Sequence, residues 1–254
     1  MKDCKKNLTN IVACIGASKG IGHAICKKFT REGFTPVFIS RGNPEKIIDT
    51  QINIKIDIDN NESISACLNS FSKLIDNKSP MQLSCHFLSG GSLGIQKGED
   101  GLKLNEYSRI LMHNMLFPYW FISSLRDRME TNNTLIEYHL YSSAAAYNNK
   151  SHFIYSVSKA GIEKLHKEVL NNLRHREYIF CYRLGIINVK HKYLHKLSRT
   201  EPTKYMEIIK NEVPTNYTAT PQELAEFIYK CSQNRSLCNG MKCDLSGGNT
   251  WTMN

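Results

Sequence analysis

Residues 15–22 read IGASKGIG and follow the apolar run NIVAC at residues 10–14, which has the composition of a buried strand. Ile21, Ile25 and Phe29 then recur every fourth position and predict a helix that begins at Gly20. The first turn of a helix has unpaired N–H groups and a partial positive charge, and glycines let a phosphate approach them closely. The spacing GxxxGxG therefore predicts a phosphate site, with a tight strand-to-helix turn as the alternative.

Strand patterns alternate with helical patterns from this stretch to the end of the chain. The predicted strands are 11–16, 35–41, 52–58, 83–91, 135–143, 178–185 and 240–248. The predicted helices are 20–33, 61–76, 104–130, 154–175 and one after Thr220, where TPQE forms a capping box. This alternation predicts one α/β domain over residues 1–254, with a Rossmann-like, doubly wound parallel sheet of about seven strands and helices on both faces. Residues 190–218 show no clear periodicity.

The composition argues against several classes of protein. The nine cysteines are irregularly spaced without a CxxC pair, which indicates reduced thiols rather than a disulfide framework or a metal site. No apolar run has the length of a membrane span, and residues 1–10 lack the apolar core of a signal peptide, so we expect a cytoplasmic protein. The net charge of +10 is spread along the chain without a nucleic-acid-binding motif, so we expect neither nucleic acid nor membrane as a partner.

Tyr155 and Lys159 form a YxxxK pattern near the start of the predicted helix 154–175, about a dozen residues after a strand that ends in YSS. At positions i and i+4 they lie on one helix face. A lysine ammonium favours the phenolate and lowers the tyrosine pKa from its usual value of about 10, so the phenol can exchange a proton with a carbonyl or alcohol oxygen. Together with the GxxxGxG turn, this pattern resembles the short-chain dehydrogenase/reductase family over nearly the whole chain.

The resemblance implies roles for further residues. Ser143 matches the serine that hydrogen-bonds the substrate oxygen, with the adjacent Ser142 as the alternative. Asn114 matches the helix asparagine that holds a water in a proton relay to Lys159, and Asp57 matches an aspartate near the adenine. The implied cofactor contacts are Gly16, Ser18, Lys19, Gly20, Ile21, Gly22, Arg41, Asp57, Ile58, Ser89, Gly90, Gly91, Tyr155, Lys159, Gly185 and Ile187.

Two elements depart from the family pattern on the side of the nicotinamide. The usual NAG is here Ser89-Gly90-Gly91, which keeps the backbone freedom but loses the asparagine. The usual PG is Leu184-Gly185, and residues 186–189, IINV, lack the threonine expected there, so that backbone groups would have to replace its contacts. These departures favour an alternative function, a non-catalytic NADP(H)-binding regulatory or assembly protein. The complete Ser-Tyr-Lys-Asn set favours an enzyme, because a pure binder does not need Tyr155.

The end of the second predicted strand, FISRG, determines the expected cofactor. NAD-binding versions of this fold usually carry an acidic residue there, which accepts hydrogen bonds from the ribose hydroxyls. This sequence has Arg41, whose guanidinium can bind a 2′-phosphate through two hydrogen bonds, and Lys19 can reach the same phosphate from the glycine turn. Two cations and no acid predict NADP(H), with two solvated surface charges as the alternative.

Residues 190–218 fall where the family has a substrate lid, and their basic side chains outnumber the acidic ones six to three. A cationic lid favours an anionic substrate such as a nucleotide-sugar, a sugar acid or a 3-oxoacyl thioester, although a solvated loop would look the same. We therefore expect an NADP(H)-dependent oxidoreductase that reduces a carbonyl, or oxidises the alcohol, by hydride transfer. The resemblance also implies a homodimer or a homotetramer.

Overall fold

The computed structural model describes residues 10–78, 80–88, 104–129, 133–147, 151–190 and 193–248. Within these ranges the chain forms one sheet of seven parallel strands in the order β3-β2-β1-β4-β5-β6-β7. The strands are β1 (Asn10–Ile15), β2 (Phe34–Ser40), β3 (Ile52–Lys55), β4 (Gln82–Phe87), β5 (Leu135–Ser143), β6 (Glu177–Leu184) and β7 (Lys242–Leu245). The predicted seven-stranded parallel sheet is confirmed.

Helices cover both faces of this sheet, as predicted for a doubly wound fold. They are α1 (Gly20–Arg31), α2 (Asn61–Lys78), α3 (Leu104–Leu111), α4 (Phe117–Met129), α5 (Phe153–Asn171), α6 (Tyr193–Thr200), α7 (Pro202–Glu212), α8 (Pro221–Gln233) and α9 (Arg235–Cys238), with one π-helical turn, Met112–Leu116, between α3 and α4. α2, α4 and α5 pack on one face over a core that includes Phe71, Phe121 and Leu165. α1 and α8 cover the other face through residues such as Phe29 and Ile228.

The helix and strand ends follow from local chemistry. The Thr220 hydroxyl accepts from the Glu223 N–H, and Glu223 Oε2 accepts from the Thr220 N–H at 2.8 Å, so the predicted capping box is confirmed. Gly33 has a φ of +89° and turns the chain out of α1 into β2. β3 and β7 are shorter than predicted. Both are edge strands, so only one neighbour extends their hydrogen-bond ladders.

Residues 190–218 contain two helices that the sequence pattern did not reveal, α6 and α7. Each buries few apolar side chains, chiefly Leu197 in α6 and Ile209 in α7. Such sparse burial leaves no apolar stripe in the sequence, whereas Pro202 provides the fixed φ that suits the first turn of α7. The lack of periodicity in this segment therefore did not mean a lack of helix.

Cysteine chemistry and membrane insertion both leave clear signatures in a structure. The cysteines in the described ranges are free thiols, and six of them are buried, as the irregular spacing predicted. Burial raises the pKa of the Cys67 thiol to about 12, which keeps it protonated and unreactive at neutral pH. No helix in the described part of the chain combines the length and the apolar character that a membrane-spanning segment needs.

Candidate active site

The turn between β1 and α1 has a backbone that favours glycine. Gly16 and Gly20 have φ values of +81° and +65°, in the left-handed region that other residues rarely adopt. A Cβ at Gly22 would collide with the methyl of Ala17, so close packing of the helix on the turn also requires glycine. The first N–H groups of α1 have no partner within the helix, an arrangement that suits a phosphate.

A cleft of about 300 Å³ lies beside this turn, at the carboxyl ends of β1 to β4. Ligands of open parallel sheets bind beyond the carboxyl ends of the strands, where the strand order reverses, and here that point lies between β1 and β4. The cleft is lined by Gly16, Ser18, Ile39, Ser40, Arg41, Gly42, Ile56, Ile58, Leu88 and His113. It therefore brings together four of the predicted cofactor contacts, Gly16, Ser18, Arg41 and Ile58, from the ends of three strands.

The two cations of the predicted 2′-phosphate site occupy different positions. Arg41 lines the cleft and is exposed, and no carboxylate within the described residues pairs with it. Lys19 is exposed as well and precedes α1 in an extended conformation, with a φ of −150°, but it does not line the cleft. The structure thus brings Arg41, and not Lys19, into the wall of the cleft.

Asp57 does not line the cleft, although its neighbours Ile56 and Ile58 do. Its Oδ1 accepts a hydrogen bond from the N–H of Asp59 at 3.2 Å, so the carboxylate stabilises the turn between β3 and α2. The Asp57 N–H lies 2.8 Å from Ser63 Oγ, which joins the same turn to the first turn of α2. Asp57 therefore stabilises the turn that follows β3, next to two residues of the cleft wall.

His113 lines the cleft from the π-helical turn, and the sequence patterns did not identify it. Its Nε2 lies 2.7 Å from Asp59 Oδ1, and Arg109 Nε donates to Asp59 Oδ2 at 2.8 Å. Partial burial raises the pKa of the Asp59 carboxyl, but the bonds with His113 and Arg109 outweigh it and hold that pKa below its usual value. The carboxylate thus links the end of β3 to the π-helical turn. In the sequence, the position of His113 directly before Asn114 was the signal that could have identified it as a residue of the site.

Tyr155 and Lys159 lie in the first two turns of α5, as the YxxxK spacing predicted. Lys159 Nζ donates to the carbonyl oxygen of Tyr141 in β5 at 3.0 Å. The same atom lies 5.8 Å from the centroid of the Tyr155 ring. Burial lowers the pKa of Lys159 to about 8, so the ammonium is held in place by the strand but gives up its proton more readily than an exposed lysine.

Ser143 lies near enough to the Tyr155 hydroxyl to influence its pKa. Burial raises the pKa of Tyr155 above its usual value, and Ser143 offsets part of that rise. The sequence predicted the opposite direction, a pKa lowered by Lys159. Burial and Ser143 determine the shift, whereas the Lys159 ammonium is bonded to the backbone of β5 and lies 5.8 Å from the centroid of the ring. Tyr155 therefore keeps its proton at neutral pH and is available as a proton donor.

Ser142 and Ser143 lie side by side at the end of β5 but point to different surroundings, because side chains alternate along a strand. Ser142 Oγ is buried and lies 3.1 Å from the Lys159 carbonyl oxygen and 2.9 Å from Glu163 Oε1, so that its one proton is shared between these two acceptors. Ser143 Oγ accepts from the Ala145 N–H at 3.2 Å, and Ser143 is the serine that lowers the pKa of Tyr155. Of the two serines, Ser143 is the one beside the phenol.

Asn114 lies in the π-helical turn that interrupts the predicted helix 104–130, and its side chain is 1% exposed. A π turn inserts one extra residue into a helix and often marks a functional position. The turn packs against α5, where a Cβ at Gly161 would collide with the side chain of Met115. Asn114 is thus buried in a turn that packs against α5.

The segment after β6 approaches two other parts of the site. A Cβ at Gly185 would lie 2.7 Å from the Ser246 backbone, so the turn requires glycine even without the usual proline. Ile187 forms a parallel bridge with Ala219, and a Cβ at Gly20 would lie 3.1 Å from Val189 Cγ1. This segment therefore meets the glycine turn of α1. Ser89, Gly90 and Gly91 lie outside the described residues.

Comparisons with known proteins agree with this arrangement. A family model described as short chain dehydrogenase matches residues 10–192. A search of curated proteins found no match. Solved structures with 19–20% sequence identity to this chain share its fold. They include a short chain dehydrogenase family protein from Francisella tularensis subsp. tularensis (19% identity, TM-score 0.75, 96% of this chain and 100% of that chain), a 4-hydroxyisoleucine dehydrogenase complexed with NADH (20%, 0.80, 96% and 100%) and an aldohexose dehydrogenase from Thermoplasma acidophilum (20%, 0.76, 98% and 97%).

Proposed function

The chain belongs to the short chain dehydrogenase family, and from that premise we propose that it is an NADP(H)-dependent oxidoreductase that interconverts a carbonyl and an alcohol. The observation that carries the proposal is the convergence of Ser143, Tyr155 and Lys159 at the carboxyl end of β5. The three side chains meet on the same edge of the sheet as the cleft beside the glycine turn. Proton transfer and dinucleotide binding can therefore take place at one site.

The residues of the cleft fit a dinucleotide. The left-handed Gly16 and Gly20 leave room for a pyrophosphate at the start of α1, since any side chain there would be strained. Arg41 offers an exposed guanidinium in the wall of the same cleft. A nicotinamide cofactor, when bound, supplies or accepts hydride. The protein must then orient the substrate oxygen and move one proton.

Tyr155 and Ser143 are proposed to perform these two tasks. Tyr155 donates its phenolic proton to the carbonyl oxygen during reduction, and accepts one from the alcohol in reverse. Ser143 donates a hydrogen bond to the same oxygen and so holds it near the phenol. The raised pKa of Tyr155 supports the direction of reduction, because the phenol is protonated at neutral pH. Lys159, whose pKa is about 8 and whose ammonium lies beside the Tyr155 ring, then returns a proton to the Tyr155 phenolate.

The preference for NADP(H) over NAD(H) rests on Arg41. A guanidinium binds a 2′-phosphate through two charge-assisted hydrogen bonds, whereas a carboxylate at this position would repel it. The end of β2, with Ser40, Arg41 and Gly42 in the cleft wall, contains no acid. A similar solved structure was determined with NADH, so the test compares both cofactors directly.

The test of the proposed function follows the oxidation of NADPH and of NADH at 340 nm in the presence of a panel of carbonyl compounds. The names of similar structures support including keto acids and oxidised sugars, and the cationic residues of 190–218 support including nucleotide-sugars and 3-oxoacyl thioesters. We expect turnover with NADPH that falls by about 10²–10⁴-fold in Tyr155→Phe. NADPH binding without turnover on any compound would indicate a non-catalytic binding protein instead, and unchanged activity in Tyr155→Phe would refute the assigned acid.

A further inference from the structure

A single buried carboxylate behind the proposed site accepts an unusual number of hydrogen bonds. Glu163 lies in α5 one turn after Lys159, with 6% of its side chain exposed. Its donors are Ser142 (Oγ to Oε1, 2.9 Å), Tyr147 (OH to Oε2, 2.7 Å), Arg183 (Nε to Oε1 and Nη2 to Oε2, 2.9 Å each) and Lys242 (Nζ to Oε2, 3.1 Å). Burial alone would raise the pKa of Glu163, but these donors, Arg183 first, hold it at about 2.

The charges around this carboxylate are balanced. Arg183 also donates from Nη1 to Asp244 Oδ2 at 3.1 Å, so two cations face two carboxylates. The other titratable groups near Glu163 are His166, whose pKa burial lowers to about 4, and the buried thiol of Cys181. A buried charge with one partner missing would be strongly destabilising, and this balance is what lets the cluster stay ionised.

Two of the donors flank the segment that carries Ser143. Ser142 directly precedes Ser143, and Tyr147 follows it after a single 3-10 turn, Ala144–Ala146. Both bond to the same carboxylate on α5. Because Tyr155 lies on that same helix, the two bonds fix the distance between the segment and the phenol.

Arg183 extends the same arrangement to β6. Its guanidinium carbon lies 3.8 Å from the centroid of the Tyr147 ring, so the ring is held from a second side. Arg183 also stands two residues before Gly185, where the chain leaves β6 and packs against the Ser246 backbone. Glu163 therefore connects α5, the end of β5 and the end of β6 through one side chain.

The attachment of α5 to the sheet does not explain this cluster. Ile162, Leu165 and Val169 already bury the apolar face of α5 in the core. Buried ion clusters add little net stability compared with apolar residues of similar size. What such clusters do provide is a fixed geometry, because each hydrogen bond forms only within a narrow range of distances and directions. The position of the cluster, one residue from Ser143, thus points to a geometric role.

We infer that Glu163 is a positioning residue for the proposed reaction: by bonding Ser142 and Tyr147 at the two sides of Ser143, it sets the Ser143 hydroxyl against the Tyr155 phenol. This inference rests on the proposed function of Ser143 and Tyr155. Glu163 itself touches neither substrate nor cofactor. Its effect passes through Ser143. A substitution of Glu163 should therefore lower activity only when Ser143 is present, whereas a general loss of stability would not depend on Ser143.

The first test is a double-mutant cycle that measures kcat for carbonyl reduction at saturating NADPH. Glu163→Gln keeps the size of the side chain but removes its charge, and we expect a 10- to 100-fold lower kcat, with KM and the Kd of NADPH changed less than about threefold. In a Ser143→Ala background the same substitution should lower kcat less than about threefold, because the group it positions is gone. An equal loss of kcat in both backgrounds would overturn the inference.

Glu168→Gln is the matched control on the same helix. Glu168 is exposed and pairs only with Lys164, at 3.4 Å, among the contacts described. We expect its kcat to equal that of the wild type. Tyr147→Phe is the second variant if Glu163→Gln folds poorly, since it removes one hydrogen bond and leaves the ion pairs in place. It should lower kcat about three- to tenfold in the wild-type background and have no effect with Ser143→Ala.

The second test does not depend on turnover. Tyrosines labelled with ¹³C at the phenolic carbon are titrated by NMR, and Tyr155→Phe identifies the signal of Tyr155. Because Ser143 lowers the pKa of Tyr155, both Ser143→Ala and Glu163→Gln should raise it. A through-space effect of the two remaining cations would lower it instead, and that result, or no change, would overturn the positioning role. Unchanged activity in Tyr155→Phe would refute the proposed function. The titration would still show whether Glu163 positions Ser143 against the Tyr155 phenol.

Discussion

Charged side chains have opposite surroundings in two regions of the molecule, the proposed nucleotide region beside the glycine turn and the proposed proton-transfer region at the ends of β5 and β6. Beside the glycine turn, Arg41 and Lys19 are exposed, and no carboxylate among the described residues pairs with them. At the ends of β5 and β6, Arg183 lies between Glu163 and Asp244 and is largely buried. A charged side chain that is unpaired at a cleft can bind a ligand. A charged side chain that is already bonded to protein groups can only hold those groups in position.

Solvation explains why the two arrangements belong where they are. An ion pair between solvent-exposed side chains adds little to the free energy of folding. Arg41 can therefore remain without a protein partner, ready to bind a phosphate, at little cost in stability. A cation inside the protein must be paired, because transfer out of water costs several kcal/mol. Substitutions that alter one region at a time should therefore show their effects in different assays.

The largest effect is expected from Lys159→Met, which alters the proton-transfer region. The substitution keeps the length and the apolar stem but removes the ammonium that bonds to the Tyr141 carbonyl and lies beside Tyr155. We expect kcat to fall by about 10²–10⁴-fold while the Kd of NADPH rises less than about tenfold. NADPH oxidation and fluorescence titration measure the two quantities. Lys167→Met, an exposed position on the same helix, is the control.

Acid stability should distinguish the buried charges from the exposed ones. The pKa of Glu163 is 4.5 in an unperturbed chain and about 2 in the folded protein, so its carboxylate stabilises the fold above pH 4.5 and loses that contribution as the pH falls toward 2. The difference amounts to about 3 kcal/mol. Urea unfolding from pH 7 to pH 2 should show this slope in the wild type and in Arg41→Glu, but a flatter one in Glu163→Gln. An equal slope in all three would contradict the pairing.

The turn and the cleft beside α1 were easier to predict than the contacts at the ends of β5 and β6. Its signals are local: glycines at 16, 20 and 22, a strand before them and a helix after them. Arg41 directly follows β2. In the other region only the spacing of Tyr155 and Lys159, one helical turn apart, is as local as this. Contacts that are set by neighbours in sequence are visible in sequence.

The arrangement behind Ser143 could not be predicted in the same way. The choice between Ser142 and Ser143 depends on which face of β5 packs against α5, and a strand that is buried on both faces does not show in its sequence which face that is. Glu163 finds its partners 16 to 21 residues away and in β7. His113 meets Asp59 across 54 residues. Such contacts arise only when the sheet brings the strand ends together.

A medium effect is expected from Arg41→Glu, which alters the nucleotide region alone. The substitution replaces a cation with an anion in the cleft wall, so the Kd of NADPH should rise about 10- to 100-fold, whereas that of NADH should change less than about threefold. The kcat at saturating cofactor should stay near that of the wild type. Arg31→Glu, at the exposed carboxyl end of α1, carries the same change in net charge and controls for it. Equal affinities of the wild type for both cofactors would refute the assignment of Arg41.

The smallest effect separates the two regions without any mutation. Salt screens exposed charges over about 10 Å at 0.1 M ionic strength and reaches buried pairs much less. Between 0.05 M and 0.5 M NaCl we therefore expect the Kd of NADPH to rise severalfold through Arg41, and the KM of an anionic substrate to rise through the cationic residues of 190–218. The kcat at saturation should change less than about 1.5-fold, because Glu163 and Arg183 are shielded from the solvent. A KM that does not depend on salt would speak against an anionic substrate, and a kcat that falls together with binding would mean that the ion cluster around Glu163 is open to solvent.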